Sequence, residues 1–234
     1  MRLLKAVLTL LSVVTNVAFL FFGKQLTAVN IGIAVAFYCL SSSIHLLTHE
    51  CGHFIGGIFS GYRLLCLQLG PLNILRNSHG KFSLMWKNQL SGQCIMLPKQ
   101  IESIPFKAYN MGGVFANLFV SALSFLLLFF NSFYLYLLFI ELLFIGVQKA
   151  IINLIPHKTH SIPNDSYVVK LLKQDKAIQR DYAMYLNLYG NLFLNEHIEP
   201  KDYIYERKIP ENIEEMIYYN EIQDILNSYK SEGL

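Results

Sequence analysis

The sequence predicts a mainly α-helical membrane protein of about four transmembrane helices, with a small cytoplasmic-side β-hairpin region and a helical C-terminal tail. Three observations predict this class. The 234 residues are 53% apolar and only 15% charged, which excludes an ordinary soluble globule. The apolar residues fall in long runs near the length a helix needs to cross a bilayer. Between the second and third runs the chain changes to short apolar segments punctuated by Gly, Pro, Asn and Ser, which read as strands and turns.

Taken in order, residues 1–23 begin with Arg2 and Lys5 and continue as an apolar run with the look of a signal peptide or a membrane anchor. The run ends Ala18-Phe19-Leu20-Phe21-Phe22-Gly23-Lys24 without a small-x-small cleavage site, so an uncleaved first span is expected. Residues 28–59 form the second span, interrupted by Ser41-Ser42-Ser43, His45 and the stretch His49-Glu50-Cys51-Gly52-His53. Over 61–110, strands are expected at 62–69, 72–76, 81–86 and 93–97, with Asn77-Ser78-His79-Gly80 turning a hairpin and Pro98 ending the last. The third span is expected to open at Gly112-Gly113 and run to 130. Asn131-Ser132 makes a short turn, and the fourth span covers 133–156 with Glu141 at its middle, expected as a paired core residue. After Pro156 the chain turns polar, and helical periodicity returns over 167–194 and 211–229. The expected division is a membrane domain at 1–162, with a β-rich insertion at about 62–98, and a cytoplasmic helical tail at 163–234.

Charge placement orients these elements. Four spans put the N-terminus, the strand region and the tail on one side with 17 of the 19 Lys and Arg, leave Lys24 opposite and hold Lys149 within the fourth span. The positive-inside rule makes that crowded side cytoplasmic. Cys39, Cys51, Cys66 and Cys94 have no CxxC spacing and are expected as reduced thiols. The basic residues are scattered without an aromatic-basic patch, so nothing favours a nucleic-acid partner.

Chemistry concentrates at His49-Glu50-Cys51-Gly52-His53. Histidines four apart on a helix differ by about 40° around the axis, so both rings reach one metal ion. Glu50 then stands beside that ion as a base able to take a proton from water, while Cys51 points away. Ionisable groups at membrane depth are costly and mark function. A catalytic zinc wants three protein ligands and an open position, so a third ligand must come from elsewhere in the chain.

In three places the chain resembles the site-2 protease family of intramembrane zinc metalloproteases, in particular small bacterial members without a PDZ domain. His49-Glu50-Cys51-Gly52-His53 resembles the family's HExGH zinc-binding helix. Gly112-Gly113-Val114-Phe115-Ala116-Asn117 is similar to its glycine-plus-asparagine motif, and Asn153-Leu154-Ile155-Pro156 followed by Asn164-Asp165 resembles the segment that supplies the third ligand. Gly92-Gln93-Cys94-Ile95-Met96 and Tyr109-Asn110-Met111 are weaker matches. The resemblance implies peptide-bond hydrolysis at a cell membrane, with one zinc ion held by His49, His53 and Asp165, and Glu50 as the general base. Asn117 would steady the substrate or the oxyanion, and Asn153 with Pro156 would keep the backbone irregular beside the site. The partners implied are the lipid bilayer and a membrane-embedded or membrane-associated peptide or protein substrate: a released signal peptide, a pheromone or bacteriocin precursor, or a tethered regulator.

The chain departs from the family pattern in having Ser166 where glycine is usual, which forfeits backbone freedom. Asp165 is the only carboxylate between Pro156 and Lys170, with His45, His157 and His160 as competing ligands. His45 lies one turn before His49 and is expected as a hydrogen-bonded neighbour, because three successive turns do not converge easily on one ion. A di-iron hydroxylase would need more clustered histidines than these. A non-catalytic peptide-binding chaperone or immunity factor of the same fold is the remaining alternative, opposed by the intact Glu50.

Overall fold

The computed structural model describes residues 2–76, 80–86, 88, 91–99, 104–129, 132–159, 162–193, 198–203 and 216–231. The long apolar runs become helices α1 (Arg2–Phe22), α2 (Ala28–Phe59), α3 (Phe106–Leu127) and α4 (Phe133–Leu154). Among the described residues α2, α3 and α4 are long and apolar enough to cross a membrane, and α1 contributes a shorter apolar helix over Ala6–Phe22. Thr27 starts α2 by accepting a hydrogen bond from the Asn30 N–H at 3.2 Å.

Small residues decide how the bundle packs. A Cβ on Gly52 would run into the Gly112 carbonyl and one on Gly56 into that of Ala108, so the backbones of α2 and α3 touch. Close approach of this kind gives apolar helices the dispersion contacts that lipid would otherwise supply. Polar ties join the remaining helices. Ser12 Oγ and Asn16 Nδ2 of α1 donate to the buried Glu141 carboxylate at 3.1 and 2.7 Å, Gln148 Nε2 donates to Thr9 Oγ1 at 2.7 Å, and Lys149 Nζ donates to the Ser42 carbonyl at 3.0 Å. Glu141 is thereby a paired core residue.

The strand region forms an antiparallel sheet of β1 (Arg63–Leu69), β2 (Leu72–Arg76), β3 (Phe82–Trp86) and β4 (Gly92–Leu97), in the order β3-β2-β1-β4. Gly70, at φ +62, turns β1 into β2. After α4, two-residue strands β5 (Lys158–Thr159) and β6 (Ile162–Pro163) pair and lead into α5 (Asp165–Leu172), α6 (Lys176–Phe193), a 3₁₀ turn at Pro200–Tyr203 and α7 (Ile217–Ser231). Leu65, Leu67, Met96 and Leu97 of the sheet share one buried cluster with Leu171, Leu172 and Ile178 of the tail. That core runs across residue 162.

Two expected boundaries are corrected. The third span starts at Phe106 behind Pro105, not at Gly112, because the two glycines serve helix contact inside α3. The helix expected over 167–194 is two helices: α5 closes at Lys173, and Asp175 Oδ1 accepts from the Ala177 N–H at 3.0 Å to begin α6. Residues 77–79 of the expected hairpin turn, Asn131, His160 and residues 211–215 lie outside the described residues.

Candidate metal centre

The close contact of α2 with α3 carries His49 and His53 to the floor of the bundle, and the return segment after α4 brings Asp165 to them. Pro156 prevents α4 from continuing, and Ile155 is already extended. Asn164 then fixes the turn. Its Nδ2 donates to the carbonyls of Ile152, in α4, and of Ile155, just beyond it, at 3.1 and 2.9 Å, and its Oδ1 accepts from the Tyr167 N–H at 3.1 Å. One side chain therefore satisfies the end of α4 and caps the start of α5. Asp165 is the first helical residue beyond this cap, and Ser166 follows in ordinary helical backbone, since Lys24 is the one non-glycine residue at positive φ among those described.

His49, His53 and Asp165 each offer a ligand atom, and these atoms all lie within 4.8 Å of one another. The two Nε2 atoms face each other at 3.1 Å; Asp165 Oδ2 is 3.1 Å from His49 Nε2 and Oδ1 is 3.5 Å from His53 Nε2. His53 Nδ1 donates to the Tyr109 carbonyl at 2.8 Å, which leaves its Nε2 bare and aimed at the cluster. Asp165 Oδ2 is buried and takes no hydrogen bond of sound geometry, so a carboxylate oxygen is orphaned where the two ring nitrogens converge. This two-nitrogen, one-carboxylate donor set fits a divalent ion of zinc's type. His157 is spent on the Ile155 carbonyl at 2.9 Å, outside the cluster.

Glu50 is buried on the same face of α2, with its carboxylate at the Cys94 backbone N–H. The β4 backbone passes so close that a Cβ on Gly92 would lie 2.6 Å from Glu50 Oε1. Tyr109 joins the two sides, donating its hydroxyl to the Cys94 carbonyl at 2.8 Å while its own carbonyl holds His53. The β4 backbone therefore abuts the Glu50 carboxylate and is joined to His53 through Tyr109.

Asn117 is fully buried between two rings, with Oδ1 3.1 Å from His45 Nδ1 and Nδ2 3.2 Å from His49 Nδ1. Asn153 Nδ2 bonds the Lys149 carbonyl at 3.3 Å, and the residue lines a cavity of about 360 Å³ with His45, His49 and Asn117. A Cβ on Gly113 would stand 2.5 Å from His49 Cε1, so that glycine makes room for the ring. Asn164, Tyr109 and Gly92 stand in the sequence analysis only within matched stretches, without roles of their own. The role of Asn164 is readable, since an Asn directly before a helical pattern is a cap signature; those of Tyr109 and Gly92 depend on contacts between distant elements that no local pattern signals.

No known protein family, curated protein or solved structure matches this chain. The site itself is a largely buried His-His-Asp cluster in a bundle with three membrane-length apolar helices, an arrangement consistent with an intramembrane-metalloprotease-like fold.

Proposed function

We propose that this chain is a zinc-dependent intramembrane endopeptidase of the site-2 protease type, acting on a membrane-associated peptide or protein such as a peptide precursor. One observation carries the reading. The three mutually close ligand atoms of His49, His53 and Asp165 stand beside a fourth group, Glu50, that lies at a strand edge. Zinc held there supplies Lewis-acid activation of water and of a carbonyl. His49 and His53 present bare nitrogens, and Asp165 a carboxylate oxygen. Glu50, one residue after His49, takes the proton of the attacking water and returns it to the leaving amine.

The substrate backbone must be extended for attack, because a helix hides its carbonyls in hydrogen bonds. An unwound segment would lie extended beside the ligands, next to Glu50 where the Gly92 backbone passes close to its carboxylate. Asn153 and Pro156 leave the end of α4 irregular beside a polar cavity.

In this reading α1 is a fourth span of a bacterial cell-membrane protein, residues 1–162 are the membrane part, and the tail, 163–234, packs onto it and supplies Asp165. The 32 residues of α2 extend about 48 Å against a hydrocarbon core of about 30 Å, so His49 and His53, in its last third, lie toward the cytoplasmic side with the sheet and tail. The test compares the membrane peptidomes of cells carrying the native protein and Glu50→Gln. Fragments that accumulate only with the native protein are expected, at equal zinc content in the two proteins. Binding of peptides without any cleavage by the native protein would contradict the hydrolase reading.

A further inference from the structure

A neutral imidazole can ligate a metal through Nε2 only when its hydrogen sits on Nδ1, and the hydrogen-bond partner of Nδ1 sets which form is present. For His53 the partner is a carbonyl, which accepts only, and the form is fixed at once. For His49 the partner is the Asn117 amide, which can present either an oxygen or an NH₂ group. Something must therefore orient that amide.

We infer that His45, acting through Asn117, fixes His49 in its metal-binding tautomer; the inference rests on the reading of His49 as a ligand. The chain of constraints begins at α4. His45 Nε2 lies 2.7 Å from the Leu142 carbonyl, and that oxygen only accepts, so Nε2 carries the hydrogen. The ring is completely enclosed, and the charge acting on it is the Lys149 ammonium, of like sign. A second hydrogen would make an unpaired buried cation, so the ring is neutral and Nδ1 is a bare acceptor. Asn117, 3.1 Å from that Nδ1, must then turn its NH₂ end to His45. The two ends of an amide are nearly isosteric and exchange by a half-turn of the terminal torsion. With NH₂ on His45, the amide oxygen faces His49 Nδ1, across the 3.2 Å contact, and the hydrogen of His49 is held on Nδ1. Its Nε2 is then bare toward His53 Nε2 and Asp165. Polarity passes from the Leu142 carbonyl through His45 and Asn117 to the ligand, crossing from α4 to α2, α3 and back to α2.

The surroundings hold His45 for this task. A Cβ on Gly146 would stand in the His45 ring, so α4 leaves space for the imidazole at the one turn where Leu142 can accept its hydrogen. Ser121 Oγ bonds the Asn117 carbonyl at 2.9 Å and leaves the Asn117 amide to the two histidines. His45 is thus a positioning residue, touching neither metal nor substrate. The same geometry reassigns Asn117 from a substrate or oxyanion group to the link between the two rings.

The test reads zinc affinity of the full chain in detergent by chelator competition. His45→Phe keeps the volume but frees the amide to take either orientation, and zinc affinity should fall about 10- to 100-fold. Asn117→Asp offers His49 an acceptor oxygen in both orientations, so His45→Phe placed on Asn117→Asp should lose no more than about threefold. Native affinity in His45→Phe, or an equal loss in both backgrounds, would overturn the relay and leave the metal site standing. A native protein that binds no zinc would overturn both. Should His45→Phe fold poorly, ¹⁵N-histidine spectra of the zinc-loaded native protein decide: hydrogen on Nε2 of His45 and on Nδ1 of His49 is expected, and hydrogen on Nδ1 of His45 contradicts the inference.

Discussion

At the scale of single residues the site separates holding from proton transfer. In the proposed reading His49, His53 and Asp165 form the donor set, whereas Glu50, which faces β4, moves the proton. Glu50→Gln should accordingly keep zinc and fold normally while peptide cleavage drops by at least about 100-fold, the scale of a lost general base; single-turnover assays on reconstituted protein check it. His157→Ala should change neither quantity, since that ring is bonded to the local Ile155 carbonyl. Asn164 gives a sharper case, because its two ends do different work. Asn164→Ala should cost about 1 kcal/mol of stability through the lost cap of α5. Asn164→Asp keeps the acceptor for the Tyr167 N–H but cannot donate to the Ile152 and Ile155 carbonyls, so it should retain the cap and still weaken zinc binding by loosening the turn that delivers Asp165. Thermal melts and chelator titrations of the two variants separate these effects, and equal zinc affinity in native protein and Asn164→Asp would show that the turn is held by other means.

Among elements, the decisive contact is α2 against α3. Gly52 and Gly112 bring the backbones together, and with them His49 to Gly113 and Asn117, and His53 to Tyr109. Gly112→Val should push the helices apart and remove zinc binding, while Gly32→Val, with open space around it, should leave binding unchanged; the comparison is a zinc titration of both proteins. This scale also explains what was legible beforehand. His49 and His53 are on one helix, so local spacing placed them, and the apolar runs marked α2 and α4 because nothing in them breaks a helix. Asp165 arrives from another element through a turn held by Asn164, and residue spacing alone left His45, His157 and His160 as competitors. The glycines of α3 looked like the opening of a span, because a sequence does not reveal that a glycine is present for a neighbour's backbone. The hairpin of β2 and β3 was readable from its turn residues, but β4 lies beside β1 through a long-range pairing, and its contact with Glu50 was invisible.

On the scale of the whole molecule, a bundle with three membrane-length helices holds a metal-type cluster to which α2 gives two residues and the tail the third, and the tail packs on the sheet. The orientation proposed from charge places the sheet, the tail and the N-terminus in the cytoplasm, so a reporter fused after Leu234 should read cytoplasmic, and a signal from the opposite compartment would refute the four-span arrangement. β3 exposes Phe82, Leu84, Met85 and Trp86, and Trp86 is the one tryptophan of the chain. With the sheet beside the bilayer, brominated lipids should quench Trp86 fluorescence in reconstituted protein more than in detergent. The central claim is that His49, His53 and Asp165 hold a metal together. It is tested most directly by the zinc content of native, Glu50→Gln and Asp165→Ala proteins purified side by side. About one zinc per chain in the first two and close to none in the third is the expected result; zinc retained at native stoichiometry in Asp165→Ala would contradict the account.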